Sequence, residues 1–323
     1  MYLITLLLSV FTVVELNCEN LFDTVDDSLK QDEEFLPASS HHWTPYRYWA
    51  KLNHIGQEIL SCALLDSTET IPDLIALTEV ENDTVMRDLT KRSLLRQAGY
   101  EYIMTSSPDQ RGINVALLYS PFSFRLINSR SIRIPPLRRF RPTRDILYVS
   151  GEVATGDTLH VFVVHAPSRS DGEKATRPYR LHVARQLCKG IDSLRAVSAR
   201  PKIAVAGDFN DYTHDASIQF LLSQRLKDVS ASAQGTHGAK ATYRYRGEWG
   251  SLDHILCNDR MAALLVRCSI NDLPFLLEKD KKYGGVKPWR TYLGPRYLGG
   301  FSDHLPLVAV FDWEKGYTTE PQP

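Results

Sequence analysis

Five short polar segments sit at the ends of apolar runs, and this arrangement limits the chain more than any other feature. They read Asn17-Cys18-Glu19-Asn20, Thr78-Glu79, Gly207-Asp208-Phe209-Asn210, Leu252-Asp253-His254 and Ser302-Asp303-His304. The neighbouring runs, residues 11–16, 73–78, 202–206, 251–257 and 305–311, have the length and β-branched content of buried strands. Each polar segment would then emerge at a strand tip. Sites of α/β folds collect at such tips, because the scaffold fixes several loops around one crevice. Carboxylates and amides meeting there with His165 and His304 suit a hard divalent cation and a phosphate ester.

Between these segments the periodicity predicts helices over 47–65, 179–196 and 215–225, and a further helix capped by Asp83 and ended by Gly99. Strands are expected over 100–105, 112–119, 124–134, 145–154, 158–165, 243–245 and 266–270. So many strands exceed one comfortable layer, which suggests two packed sheets with helices outside. The polar segments run from near the start to near the end, so both halves supply one site. This predicts a single domain over 11–314 and a flexible tail over 315–323, where Pro, Thr, Glu and Gln dominate. Residues 1–10 are apolar but lack a basic start and an Ala-x-Ala site. They read either as a truncated leader or as the approach to the first strand, so export and a cytoplasmic location both stay open. No other stretch predicts a transmembrane segment, and nothing calls for an obligate protein partner.

Composition narrows the partners. Lys+Arg and Asp+Glu balance at 38 each, which argues against avid general binding of nucleic acid. The five cysteines are odd in number and show no metal-ligand spacing. They read as buried free thiols.

Residue by residue, the tips suggest roles. Glu79 closes a buried strand, where a carboxylate has little structural use; a metal ligand and a helix-capping acid are the two readings. Asn17 and Glu19 alternate on one strand and so share a face. Asp208 and Asn210 do the same, with Gly207 allowing a tight turn. Asp208 is the candidate to orient or deprotonate a water, and Asn210 to hold that water or a phosphoryl oxygen. An Asx-turn would account for Asp208 alone. Asp253 and His304 suit a carboxylate–imidazole pair that fixes the ring tautomer. His165 ends a strand and suits oxyanion stabilisation. Residues 278–300 interleave lysines and arginines with aromatic residues just before Ser-Asp-His. Lys287 and Arg290 are their candidates for substrate binding, against the plainer reading of a solvated loop.

Asn-x-Glu, the lone Glu79, Gly-Asp-x-Asn, Leu-Asp-His and Ser-Asp-His together resemble the endonuclease/exonuclease/phosphatase superfamily, the deoxyribonuclease I-like group, and its bacterial members. The resemblance runs from Thr12 to about Trp313. It implies an α/β four-layer sandwich of two packed mixed β-sheets flanked by helices. It implies a Mg²⁺- or Mn²⁺-dependent phosphoesterase, with a nucleic acid or a sugar or lipid phosphate as the phosphate-ester substrate. On that reading Glu79, Glu19, Asn17 and Asp303 hold the metal, and Asp208, Asn210, His304, Asp253 and His165 are catalytic. Arg144 matches a position that can reach phosphate, with a surface charge as the rival account. Asn114 could line the same crevice or bond a strand edge. A non-catalytic binding module on the same scaffold is the remaining alternative.

Overall fold

The computed structural model describes residues 10–65, 70–138 and 140–316. Expectations for a leader fall on residues 1–9, and most of the expected tail on 317–323; both lie outside the described residues. The first apolar run forms β1 (Val10–Leu21), which carries the whole Asn-Cys-Glu-Asn segment inside the strand rather than beyond it. It pairs in parallel with β2 (Leu74–Val80) and continues through β3 (Glu101–Met104) and β4 (Asn114–Tyr119). The second sheet takes β5 (Phe124–Ile132), β6 (Ile146–Val153), β7 (Thr158–His165), β8 (Lys202–Asp208) and β9 (Leu226–Asp228). A hairpin of β10 (Tyr243–Tyr245) and β11 (Glu248–Gly250) leads into β12 (Asp253–Asn258) of that sheet. The chain then returns to the first sheet with β13 (Leu265–Ile270). Two small hairpins follow, β14 (Leu277–Lys279) with β15 (Val286–Pro288) and β16 (Tyr292–Leu293) with β17 (Arg296–Tyr297). β18 (Leu307–Asp312) closes the order β13-β18-β1-β2-β4-β3, against β5-β6-β7-β8-β12-β9 in the other sheet.

Both sheets are mixed and six-stranded, and they pack face to face. Val13, Leu74, Ala76, Val115 and Leu117 of one meet Val149, Val161, Val163, Ala204, Ala206 and Ile255 of the other. The alternate residues face outward. Val14, Leu16, Ile75 and Leu77 pack on the helices Pro45–Ser61 and Asp83–Lys91. Phe162, Val164, Ile203 and Val205 pack on Glu173–Val197 and Ala216–Ser223. Central strands that are apolar on both faces thus yield helix, sheet, sheet and helix in layers. No described helix is long and apolar enough to cross a membrane.

One helix begins earlier than the periodicity predicts. The helix expected over 179–196 spans Glu173–Val197 and includes Pro178. Proline forfeits one amide, but the buried Arg180 guanidinium ties the first turns together through the Glu173 carbonyl and the Thr176 hydroxyl.

Register does the positioning. His165, Asp208 and Asp253 are neighbours across β7, β8 and β12. In the other sheet Asn17 lies opposite Thr78, one residue before Glu79. Gly207 permits this close pairing: a Cβ there would lie 1.8 Å from the Val164 carbonyl oxygen, and its φ is +152°. Gly207→Ala should therefore cost at least about 2 kcal/mol of stability by urea denaturation. An unchanged midpoint would show that the β7–β8 contact is not tight.

Candidate active site

The strand tips leave regular geometry where the polar segments begin. Glu19, Asn20, Glu79 and Asn210 have φ of +46°, +58°, +61° and +50°, four of the seven non-glycine residues of positive φ among those described. Each such residue costs roughly 1–2 kcal/mol. The polar side chains themselves hold the kinks. Asn17 Oδ1 accepts from the Glu19 amide at 2.9 Å, Glu79 Oε2 from the Asn20 amide at 2.9 Å, and Asp208 Oδ1 from the Asn210 amide at 2.7 Å.

These turns surround a cleft of about 190 Å³. On one side, Asp208 Oδ2 accepts from the Asn17 amide nitrogen at 3.0 Å and from that of Asn210 at 3.2 Å. Burial, and then the charge of Asp253, push the Asp208 carboxyl up to about 7. Beside it, His304 Nδ1 lies 2.7 Å from Asp253 Oδ2, which also accepts the Thr242 hydroxyl. Burial alone would lower the His304 pKa. The charge and hydrogen bond of Asp253, with the charges of Asp303 and Asp208, hold it well above the usual histidine value. His165 is the opposite case. Burial, then the positive charges of Arg144, His304 and Arg111, push it well below, so its ring is neutral. Two histidines in one cleft are thus held in opposite protonation states.

His165 Nε2 stands 3.8 Å from Glu79 Oε1 and 3.7 Å from Asp208 Oδ2. Neither distance is a hydrogen bond. Glu79, His165 and Asp208 offer ligand atoms all within 4.8 Å of one another, and so do Asp208, Asp253 and His304. Two carboxylates face one ring nitrogen there at distances too long for hydrogen bonds. That donor set fits a hard divalent cation.

The other expected residues divide. Asp303 lines the cleft and pairs with Arg290 at 2.9 Å; Arg144 lines it too, donating to the Ala166 carbonyl at 2.8 Å. Asn17 lies behind Asp208, 1% exposed, and acts on it by hydrogen bond. Glu19 touches the cleft, but it accepts from the Thr291 and Tyr292 amides and from Arg290 Nε. It anchors the segment after β15 and belongs to neither ligand group. Asn114 turns away: its amide donates to the Glu81 carbonyl, its oxygen accepts from Ser107 N, and it does not line the cleft. Lys287 is not brought there either. It pairs with Glu278 at 3.3 Å across the β14–β15 hairpin.

Asn20, Arg111 and Tyr243 line the cleft without having been singled out for it. Asn20 would face away in a regular strand, and its left-handed φ turns it in. Arg111 donates to Asn20 Oδ1 at 2.7 Å; its one sequence signal is its place just before Gly112 and β4. The Tyr243 ring packs on His304, centroids 4.8 Å apart, with a bridge between the two backbones. Asp211 and His254 are structural. Asp211 pairs with buried Arg180 at 2.6 Å, and His254 sits between Asp228 Oδ2 and the Asp211 carbonyl, 2.9 Å from each.

The sequence matches the family model described as Endonuclease/Exonuclease/phosphatase family over residues 12–312. Solved structures of the same fold include the mannosyl-6-phosphatase of Bacteroides thetaiotaomicron, 15% identical, with 93% of this chain and 98% of that one covered and a TM-score of 0.59. The human nocturnin catalytic domain with bound sulfate is 18% identical, covering 94% and 93%, with a TM-score of 0.56. D. rerio TDP2 complexed with single-strand DNA product is 16% identical, covering 94% and 99%, with a TM-score of 0.56. No curated protein matches the chain in sequence.

The His304 ring is a direct check on this geometry. In metal-free protein its ¹⁵N resonances should show an imidazolium at pH 7.5. Asp253→Asn should bring the titration to or below the ordinary value of about 6.5, because burial is then less opposed. A wild-type ring that is neutral at pH 7 would contradict the pairing.

Proposed function

The chain belongs to the endonuclease/exonuclease/phosphatase family, and from that premise we propose that it is a divalent-metal-dependent phosphoesterase that cleaves a phosphate mono- or diester by in-line attack of water. One observation carries this reading. The Asp253–His304 pair and the Asn17–Asp208–Asn210 group face one small cleft that also holds Glu79, Arg111, Arg144 and Arg290. An acceptor for the water's proton, a protonated ring and several guanidiniums therefore surround a single point. That is the set which phosphoryl transfer requires.

In this scheme Asp208, its direction fixed by two side-chain amides, orients the attacking water and accepts its proton. Asn210 donates to the Ala166 carbonyl and to Asp208, so it is held rigidly beside that water. His304, protonated against Asp253, donates to a phosphoryl oxygen and assists the leaving oxygen. Neutral His165 and Arg144 lie on the same wall, where a bidentate guanidinium suits phosphate. Glu79 would hold a Mg²⁺ or Mn²⁺ ion, with Asp208 and His165 facing the same point, and the ion would supply electrophilic charge to the phosphoryl oxygens.

A formal net charge of zero offers no general attraction to a polyanion. The cleft also confines its cations to one point rather than along a track. Both features favour a compact phosphate ester, on a sugar or lipid, over a length of nucleic acid.

Chelation with EDTA should abolish hydrolysis of p-nitrophenyl or bis-p-nitrophenyl phosphate, and Mg²⁺ or Mn²⁺ should restore it. Asp208→Asn and His304→Ala should each lower kcat by about 10²-fold or more with circular dichroism unchanged. Full activity in chelator, or a folded His304→Ala protein of normal kcat, would overturn the scheme.

A further inference from the structure

Past Arg290 lies a second cavity of about 150 Å³. Glu19, Asn20 and Arg290 line both cavities, so the two are joined by shared walls. The far wall is aromatic, but its rings are already committed. Phe35 is covered on one face by Phe22, with centroids 4.2 Å apart and planes 9° apart, and on the other by His41 at 5.9 Å and 7°. Tyr292 meets His41 edge-on at 4.8 Å. Trp43 is 1% exposed and its indole N–H donates to the Phe22 carbonyl at 3.0 Å.

What this wall leaves available is polar. The half-exposed Glu34 carboxylate is an acceptor, 3.4 Å from Arg111 and 3.9 Å from the His41 ring. Arg290 is a donor, and the Asn20 amide can be either. Groups that both donate and accept, as hydroxyls do, match such a lining. A flat base would need an open aromatic face, and Phe35 offers none. An acyl chain would need an apolar lining, and carboxylates and a guanidinium stand there instead. The cavity is also small beside the ~300–1,000 Å³ of drug-sized ligand pockets, which limits its occupant to about one ring.

We propose that this second cavity binds the polyhydroxylated, sugar-like part of a phosphate ester whose phosphoryl group occupies the first. The inference rests on the phosphoesterase reading for the role of the first cavity, and it names the substrate class for it: a monosaccharide phosphate. Glu34 and Asn20 hold sugar hydroxyls, His41 and Tyr292 shape the wall, and Arg290 stands at the join between sugar and phosphate.

Calorimetry with Mg²⁺ and non-hydrolysable hexose 6-phosphonates, set against methylphosphonate and a deoxynucleoside phosphonate, tests it. At least one hexose phosphonate should bind about tenfold or more tighter than methylphosphonate, as one or two hydrogen bonds to charged groups provide. Glu34→Ala should remove most of that advantage and leave methylphosphonate affinity within about twofold. His41→Ala should weaken the sugar ligand in the same selective way. Equal affinity for sugar and methyl phosphonates, a preference for the nucleoside ligand, or equal losses for all ligands in Glu34→Ala would overturn the proposal. Hydrolysis of p-nitrophenyl phosphate separates the two readings. If it proceeds without any sugar preference, the sugar site fails and the phosphoesterase stands. If sugar phosphonates bind selectively and no ester is hydrolysed, the sugar site stands and the phosphoesterase fails.

Discussion

A buried hydrogen bond from the Asn17 amide to the Asp208 carboxylate, 3.0 Å long, joins the tips of the two sheets. A slide of one sheet on the other would strip Asp208 of that donor and leave only the Asn210 backbone and side-chain amides to its buried carboxyl. The same carboxylate pairs across the sheet with Asp253 and His165 by register and caps the Asn210 turn. One side chain therefore ties sheet packing, backbone strain and electrostatics to a single point.

That point is under tension. Four left-handed non-glycine residues surround it, and the carboxylates of Asp208 and Asp253 lie close to one another. Glu15 lies beneath them on β1, fully buried, and neither of its carboxyl oxygens has a hydrogen-bond partner among the described residues. Burial, then the charges of Asp253 and Asp208, push Glu15 well above the usual carboxylate range. A fold optimised for stability would place an apolar residue there. Local strain and crowded acids persist where surrounding structure holds them, and here the β1–β18 and β7–β8 ladders do so.

Two sheets were legible from the number of strands, and the sandwich from the family resemblance; residues 74–77 and 203–206 are apolar on both faces, so the polar residues after them stood out. Register places Asp208, Asp253 and His165 together, and His304 joins them through its contact with Asp253. What was not legible follows from backbone geometry. Left-handed residues break strand alternation, so Asn20 turns into the cleft although a regular strand would turn it away. Glu19 is taken up by the amides of Thr291 and Tyr292, a partnership across 272 residues that no local pattern announces. The segment 278–300 read as one basic, aromatic stretch. It folds into two hairpins that bring Arg290 inward and leave Lys287 paired with Glu278. Asn114 looks like a site residue by type, yet buried backbone groups at Ser107 and Glu81 claim it.

In the proposed scheme this cleft is built around a five-coordinate phosphorus, with Asp208 on the attacking side and His304 on the phosphoryl oxygens. A crystal structure grown with Mg²⁺ and orthovanadate tests it most directly. Vanadate is expected in the first cavity, with one apical oxygen on Asp208 and Asn210 and another oxygen on His304. Vanadate bound elsewhere, or seated in the cleft with its apical oxygen turned away from Asp208, would contradict it.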